Sequence, residues 1–352
     1  MTKQVNCGSV KIGGGAPLSI QSMTNVNTAD IAAAGKQIRR LADAGCQIVR
    51  LAVPDMEAAE ALKELKKQAN VPLVADIHFD YRLALAAIRS GVDKIRINPG
   101  NIGEKEKVRQ VADAAKAAGI PIRVGVNSGS LEKDILEKNG GPTAEGLAES
   151  ALRNVEILED MNFSDIVISL KSSNVKMNYD AYKIVAANTE YPLHIGVTEA
   201  GTVSRGKVKS AAGIGALLLE GIGDTMRVSL TADPVEEVIF ARELLAALGL
   251  RESGIDLVSC PTCGRTKVDL ESIALQVERS LAPIEEKLSG RKIKVAVMGC
   301  AVNGPGEAKD ADLGVACGDG KGVIFARGTV IKTVPEDKIA EELIKLVQKE
   351  KV

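Results

Sequence analysis

Apolar and polar residues follow a pattern that repeats eight times between residue 18 and about residue 230. In each repeat a short apolar run precedes a polar turn, and a stretch with apolar residues at helical spacing follows. The apolar runs predict strands at 18–23, 47–51, 72–77, 94–98, 122–126, 166–170, 193–197 and 225–229. Helices are predicted between them, among others at 29–44, 56–68 and 144–160. Strands that alternate with helices in this way indicate a parallel sheet.

Eight such units in about 250 residues predict a (β/α)8 TIM barrel. A doubly wound open α/β sheet is the alternative. The positions of the polar residues favour the barrel, because almost every predicted strand has a functional group at its carboxyl end. In a barrel those ends meet at one mouth, where the active sites of this fold lie.

The pattern changes after about residue 250. Short strands are predicted at 256–259, 293–298, 313–316, 322–326 and 329–333, with a long amphipathic helix from about residue 270 and a last helix at 335–349. The sequence therefore predicts a barrel domain over residues 1–250 and a smaller α+β domain over residues 251–352.

Cationic side chains dominate the predicted mouth of the barrel. Five basic residues lie at strand ends, namely Arg50, Arg96, Arg123, Lys171 and Arg227. The formal net charge of the chain is only −1, so this positive charge is local. Clustered guanidinium groups favour phosphate or diphosphate. Asp76 and Glu199 are the carboxylates at this mouth and are candidate acid–base groups. For His78 three interpretations remain open: a proton donor, a substrate ligand or a core histidine with its hydrogen bonds satisfied.

Composition narrows the possible partners. The chain of 352 residues contains no Trp, and aromatic residues make up 2%, which argues against base stacking on nucleic acid. The near-neutral charge provides no field toward nucleic acid or membrane. The N-terminus lacks the apolar segment of a signal peptide, and no apolar run approaches the length of a spanning helix. A cytoplasmic protein without nucleic-acid or membrane partners is expected.

Four of the six cysteines fall in the predicted α+β domain. Cys260 and Cys263 form a Cys-x-x-Cys pair, and Cys300 and Cys317 follow. Thiolates favour iron–sulfur clusters or zinc, and the spacing alone does not choose between them. Cys317 follows an apolar run and fits a packed strand end. Glu307, beyond the turn-forming residues 303–306, is a candidate oxygen ligand.

The chain resembles the 4-hydroxy-3-methylbut-2-en-1-yl diphosphate synthase family over nearly its whole length. The motifs that carry the resemblance are PLSIQSMT at 17–24, ADIHF at 75–79, KIRINPGN at 94–101, IRVGVNSGSL at 122–131, SLKSS at 169–173, GVTEAG at 196–201, IDLVSCPTCGR at 255–265 and MGCAVNGPGE at 298–307. The resemblance implies an iron–sulfur oxidoreductase of isoprenoid precursor biosynthesis, in the compact two-domain bacterial form.

The implied reaction is the reductive dehydration and ring opening of 2-C-methyl-D-erythritol 2,4-cyclodiphosphate to (E)-4-hydroxy-3-methylbut-2-enyl diphosphate. Two electrons would arrive singly through one [4Fe–4S] cluster per chain, from reduced flavodoxin or ferredoxin. The ligands implied for the cluster are Cys260, Cys263, Cys300 and Glu307. The family also implies a homodimer in which the cluster domain of one chain faces the barrel of the other.

The resemblance also implies roles at the barrel mouth. Residues expected to bind the diphosphate are Arg50, Arg96, Arg123, Lys171, Arg227 and Ser229. Residues expected around the reacting carbons and hydroxyls are Asp76, His78, Asn98, Asn127 and Glu199, with Glu199 delivering a proton. Asn303 is expected between cluster and substrate.

Two other interpretations follow from the residues alone. One is a redox-silent barrel enzyme, of the aldolase or pterin-synthase type, with a zinc-stabilised C-terminal domain. The other is an iron–sulfur electron carrier or metal sensor in which the barrel is only a scaffold. The metal content and a test of turnover distinguish these from the synthase.

Overall fold

The computed structural model describes residues 1–251, 254–285, 288, 291–300, 308 and 310–350. The chain divides into two compact units, Met1–Leu244 and Leu245–Val352. Each unit has its own sheet and its own core. The boundary at residues 250 and 251 stays a prediction.

The first unit contains ten strands and the helices that connect them. The strands are β1 (Val5–Cys7), β2 (Val10–Ile12), β3 (Ser19–Met23), β4 (Ile48–Ala52), β5 (Leu73–Asp76), β6 (Lys94–Ile97), β7 (Ile122–Asn127), β8 (Ile166–Lys171), β9 (His194–Ile195) and β10 (Thr225–Met226). The helices are α1 (Ile31–Asp43), α2 (Met56–Gln68), α3 (Tyr81–Arg89), α4 (Lys105–Ala118), α5 (Lys133–Asn139), α6 (Ala144–Glu159), α7 (Val175–Asn188) and α8 (Val203–Leu219). Helix α9 (Pro234–Ala247) follows and runs past Leu244.

Eight parallel strands form a closed barrel. The sheet order is β8-β7-β6-β5-β4-β3-β10-β9, and a parallel bridge between Ile168 and Leu193 joins its two ends. The Ile168 amide donates to the Pro192 carbonyl at 2.9 Å across this seam. The predicted TIM barrel is confirmed, and the open sheet is not formed because the first and last strands of the order meet.

A short antiparallel hairpin closes the lower end of the barrel. Strands β1 and β2 pair from Val5–Ile12 to Cys7–Val10, and Gly8 between them has a φ of 55°, which favours glycine. Side chains from the hairpin pack against Ile48, Val74 and Val167 of the barrel strands. This apolar layer separates the interior from solvent at the amino ends of the strands.

The second unit contains a five-stranded mixed sheet with helices on one face. Its strands are β11 (Gly254–Ser259), β12 (Lys292–Met298), β13 (Leu313–Gly318), β14 (Lys321–Ala326) and β15 (Thr329–Pro335). Strands β11 to β13 run parallel, and β13 to β15 are antiparallel. Its helices are α10 (Leu270–Glu285) and α11 (Ile339–Glu350).

Helices α10 and α11 supply the apolar residues of the main core of this unit. Val277 and Leu281 of α10 and Leu343 of α11 lie in one buried cluster with Val295 and Val315 of the sheet. The helical spacing of those residues follows from the sequence pattern, since positions four apart share a face. Within the part of the chain that the structure describes, no helix is long and apolar enough to cross a bilayer.

Candidate functional site

A cavity of about 190 Å³ lies at the carboxyl ends of the barrel strands. It is lined by Arg50, Asp76, His78, Arg96, Arg123, Gly125, Asn127, Ser169, Lys171, Thr198, Arg227 and Ser229. Nine of these twelve residues were assigned site roles from the sequence, whereas Gly125, Ser169 and Thr198 were given none. The strand ends therefore meet at one cavity, and the roles of these residues stay predictions.

The strands themselves, rather than long loops, carry most of these side chains. Because successive side chains of a strand point to opposite faces, residues two apart share the interior. On β7 this rule places Arg123, Gly125 and Asn127 together on the cavity side. The same rule places Ser169 beside Lys171 on β8.

Asp76 is the anionic centre of the cavity. Its carboxylate lies 3.2 Å from Arg96 Nη1, 3.7 Å from Arg50 Nε and 3.4 Å from His78 Nε2. Burial alone would raise its pKa. The Arg50 charge, the His78 hydrogen bond and the Arg96 charge outweigh burial and hold the pKa of Asp76 well below its usual range. Asp76 is therefore an ionised acceptor that orients its cationic neighbours.

Arg227 is held by a carboxylate that sequence reasoning missed. Glu237 of α9 is 3% exposed, and its two oxygens accept from Arg227 Nε and Nη2, each at 3.1 Å. Glu237 also accepts from Ser22 Oγ at 2.8 Å and from the Leu230 amide at 3.1 Å. The sequence offers no signal for this contact, since Glu237 is one of two adjacent acidic residues in the first turn of a helix.

Arg123 and Lys171 are buried cations with little compensation. Arg123 is 1% exposed, and its Nε and Nη1 have no hydrogen-bond partner among the described residues. Burial, together with neighbouring cations, lowers the pKa of Arg123 and of Lys171 well below their usual values. Desolvated cations without counter-charges make a strong site for an anion.

A glycine gives Arg96 its place against β7. A Cβ atom built on Gly125 would lie 2.4 Å from Arg96 Nε, closer than non-bonded atoms approach. The missing side chain lets the guanidinium cross β7, where Arg96 Nη2 donates to the Gly125 carbonyl at 3.3 Å. The glycine at position 125 of β7 thus determines where the Arg96 guanidinium lies in the cavity.

Two predicted residues lie outside the cavity lining. Asn98 is buried, and its side-chain oxygen accepts from the Gly100 amide at 3.1 Å as the cap of a 3-10 turn. Glu199 is exposed and follows the lining residue Thr198. Its φ of 51° lies in the left-handed region, which is uncommon for a residue other than glycine and is often found at functional sites.

Lys94 and His194 are fully buried in the first unit. Lys94 Nζ and both ring nitrogens of His194 have no hydrogen-bond partner within the described residues. Burial and the surrounding cations, Arg123 first among them, hold the pKa of His194 well below its usual value, so its ring stays neutral. Burial also lowers the pKa of Lys94 to about 8.

Replacing Lys94 by methionine is expected to change how stability depends on pH. In the unfolded chain the lysine keeps its proton up to about pH 10.5. Between pH 8 and that value the unfolded state binds more protons, so the stability of the wild-type protein rises with pH relative to Lys94→Met. The stability difference should move by about 2 kcal/mol in urea unfolding between pH 7.5 and 10.

The control for this experiment is Lys63→Met, at an exposed position of α2. Its stability difference from the wild-type protein should stay constant over the same pH range. A pH-independent difference for Lys94→Met would contradict the lowered pKa.

In the second unit, Cys260 and Cys300 come from neighbouring strand ends. Cys260 follows β11, and its sulfur accepts from the Gly299 amide at 3.1 Å. Cys300 follows Gly299 directly after β12 and is buried. Amide donors to sulfur stabilise a thiolate and tune the potential of a cluster ligand.

Cys263 lies in the exposed loop that follows Cys260. Its amide donates to Thr266 Oγ1 at 3.2 Å, which orders the loop. Hydrogen bonds from Arg265 and Thr266 lower the pKa of the Cys263 thiol, so the loop favours a metal-binding thiolate. The Cys263 sulfur in this loop is therefore suited to bind a soft metal ion.

Cys317 has a different environment. It lies in β13 and belongs to the buried core of the second unit. Burial first, and then Glu336 and Cys260, raise the pKa of its thiol to about 12. Its place in the apolar core fits the packed strand end predicted from the sequence.

Two predicted residues of the cluster site remain, the ligand Glu307 and the neighbouring Asn303. Asn303 and Glu307 lie outside the described residues. Among the described residues, no group of three His, Cys, Asp or Glu side chains is arranged to hold a single metal ion. The sulfur donors of Cys260, Cys263 and Cys300 nevertheless have the chemistry that iron–sulfur clusters require.

Family models describe both parts of the chain. The GcpE TIM-barrel domain matches residues 2–242, and the GcpE protein C-terminal domain matches residues 256–349. The chain belongs to the GcpE family. Members of the GcpE family with similar sequences cover the chain almost end to end.

Three of these relatives are named 4-hydroxy-3-methylbut-2-en-1-yl diphosphate synthase (flavodoxin). The protein from Caldanaerobacter subterraneus is 56% identical over 99% of this chain and 97% of its own length. That from Clostridium perfringens is 57% identical over 99% and 98%, and that from Clostridium acetobutylicum 58% identical over 98% and 97%. The family resemblance predicted from the motifs is confirmed.

Among solved structures, the barrel of this GcpE protein is similar to a truncated 3-deoxy-D-arabino-heptulosonate 7-phosphate synthase from Thermotoga maritima. The TM-score is 0.50 at 13% identity, covering 70% of this chain and 91% of the other. At this identity the likeness concerns the fold alone.

Proposed function

We propose that this chain is a 4-hydroxy-3-methylbut-2-en-1-yl diphosphate synthase. It converts 2-C-methyl-D-erythritol 2,4-cyclodiphosphate to (E)-4-hydroxy-3-methylbut-2-enyl diphosphate with two electrons and the loss of water. The observation that carries the proposal is the cavity in which buried cations outnumber carboxylates, in a chain about 56% identical to enzymes of that name. The redox-silent barrel enzyme is not favoured, since those relatives bear the synthase name over almost the whole chain.

The cavity cations bind the diphosphate in this proposal. Arg123 and Lys171 are buried cations that form no ion pair of their own among the described residues, and Arg50, Arg96 and Arg227 complete the cationic wall. Guanidinium groups bind phosphate oxygens with paired N–H donors, so several of them fix the orientation of the substrate as well as its charge. Asn127 and Ser229 line the same cavity and add neutral polar contacts.

Three groups near the cavity have distinct proton roles. Asp76, held ionised, accepts hydrogen bonds and keeps Arg50 and Arg96 in place. His78 is 53% exposed in its side chain and contacts Asp76 and Arg96, so it reaches both the cavity and solvent. Glu199 follows Thr198 of the lining, and we assign it the delivery of the proton to the departing hydroxyl.

The redox centre in this proposal is one [4Fe–4S] cluster. Cys260, Cys263 and Cys300 would hold it with Glu307, and the cluster supplies single electrons when bound. The amide of Gly299 stabilises the Cys260 thiolate, and Asn303 would lie between cluster and substrate.

The partners proposed for this chain are an electron donor and a second copy of itself. Flavodoxin is the donor that the names of the relatives specify, and ferredoxin is the alternative. The proposed assembly is a homodimer in which the cluster domain of one chain faces the barrel of the other. The electron donor and the dimer arrangement are both inferred from the family resemblance.

Anaerobic purification and turnover test the proposed function. The expected result is brown protein with about four iron atoms and as many acid-labile sulfides per chain. With the cyclic diphosphate and a strong one-electron reductant, it should form the linear hydroxy diphosphate. Colourless protein with one zinc would support the redox-silent enzyme, and a cluster without any product would support an electron carrier. Either result would refute the synthase.

A further inference from the structure

We propose that Glu237 is a positioning residue that fixes the Arg227 guanidinium at the cavity and offsets its charge. The inference rests on the proposed function, because Arg227 is one of the cations assigned to the diphosphate. Glu237 itself does not line the cavity. It acts through Arg227, which does.

The contacts around Glu237 leave its carboxylate little freedom. Arg227 Nε and Nη2 donate to its two oxygens at 3.1 Å each, which is the paired geometry of a strong arginine–carboxylate contact. Ser22 Oγ and the Leu230 amide donate to the same two oxygens. Four hydrogen bonds from β3, the segment after β10 and Arg227 itself therefore hold the group in one orientation.

The Nη1 side of the Arg227 guanidinium faces a methionine sulfur instead of a carboxylate. Arg227 Nη1 lies 3.7 Å from Met23 Sδ, and the same sulfur lies 2.9 Å from Arg50 Nη2. Two arginines thus approach one soft, uncharged atom. Because Glu237 occupies the Nε and Nη2 donors, only the Nη1 side and the unused Nη2 proton of Arg227 remain for a ligand.

Charge balance makes Glu237 important beyond orientation. Asp76 is shared by Arg50 and Arg96, and Glu237 is the carboxylate paired with Arg227. Without the charge on Glu237 the cavity would carry one more uncompensated cation. Anions would then bind more tightly. The Arg227 guanidinium, without its paired contact, would no longer keep a single orientation.

The test replaces Glu237 by glutamine in the full chain with its metal centre. Inorganic pyrophosphate is the probe of anion binding, measured by calorimetry. Glu237→Gln is expected to bind pyrophosphate roughly fivefold more tightly. The value of kcat with the cyclic diphosphate should fall roughly tenfold, since misplaced groups slow the reacting step. A general loss of structure would weaken binding as well as turnover.

Two further variants separate orientation from charge. Glu237→Asp keeps the charge but shortens the side chain, so kcat should fall while pyrophosphate affinity stays close to the wild-type value. In an Arg227→Met background, Glu237→Gln should have no further effect on kcat. Glu236→Gln, one residue away on α9, is the matched control and should leave both quantities within about twofold.

Definite results would overturn the proposal. Unchanged or weaker pyrophosphate binding by Glu237→Gln, an unchanged kcat, or an equal loss of kcat in the Arg227→Met background each contradicts it. If Glu237→Gln does not fold, Glu237→Asp and the Arg227→Met pair decide the question. If the wild-type protein does not turn over the cyclic diphosphate, the proposed function fails, while the relative pyrophosphate affinities still test Glu237.

Discussion

Arg123→Met is expected to weaken pyrophosphate binding by roughly a hundredfold. The guanidinium is fully buried at the cavity, and two of its nitrogens have no partner in the described part of the chain. A charged hydrogen bond to a ligand contributes about 1.5–3 kcal/mol, and the loss of a paired contact reaches the upper end of that range. Calorimetry with inorganic pyrophosphate measures this loss directly, and KM for the cyclic diphosphate should rise with it.

The same substitution should stabilise the fold. A buried cation without a counter-charge opposes folding, and an apolar side chain of similar volume removes that cost. The free energy of unfolding in urea should therefore rise by about 1–3 kcal/mol. Arg89→Met, at an exposed position in the last turn of α3, is the control and should change neither quantity. Lower stability together with unchanged pyrophosphate binding would show that Arg123 is structural.

Cys260→Ala is expected to abolish both the metal centre and turnover. Its sulfur is the one fixed by the Gly299 amide, between the ends of β11 and β12. Loss of one of three thiolates leaves a cluster too few protein ligands to persist. The brown colour, the iron content and the reductive reaction should disappear together, while pyrophosphate binding at the barrel stays unchanged.

Cys317→Ala is the matched control, because it removes a thiol from the same sheet. Its side chain belongs to the core of the second unit and stays protonated. The variant should keep its iron and its turnover, with a stability loss of about 1 kcal/mol from the small cavity. Iron loss in Cys317→Ala would favour a four-cysteine site and exclude the proposed ligand set.

The barrel could be predicted because its signal is local and repeated. Each apolar run bounded by polar residues marks an extended buried segment, and the strand-end rule then brings distant residues such as Arg50 and Lys171 to one mouth. The second unit was predicted for a similar reason, since the order of its predicted strands and helices differs from the strand–helix alternation of the barrel. These features depend on neighbours within a few residues along the chain.

Other features depend on partners that no local pattern reveals. The seventh and eighth strands were predicted at 193–197 and 225–229, but β9 and β10 each pair over only two residues. A Cβ atom on Gly196 would lie 2.5 Å from the Arg227 carbonyl, so only glycine fits at this position between the two segments. The Glu237 contact joins helix α9 to two segments that are distant in the sequence. The β1–β2 hairpin was not predicted, although apolar and polar residues alternate in both of its strands.

The placement of the cations on strands has a consequence for protein engineering. The proposed affinity for a cyclic diphosphate is a property of the barrel strands, since Arg96 and Arg123 are fixed by strand pairing rather than by the segments above them. Those upper segments could be exchanged for others without moving the anion receptor. The barrel could thus serve as a starting point for enzymes that take other cyclic or linear phosphate esters, with new chemistry supplied by grafted loops.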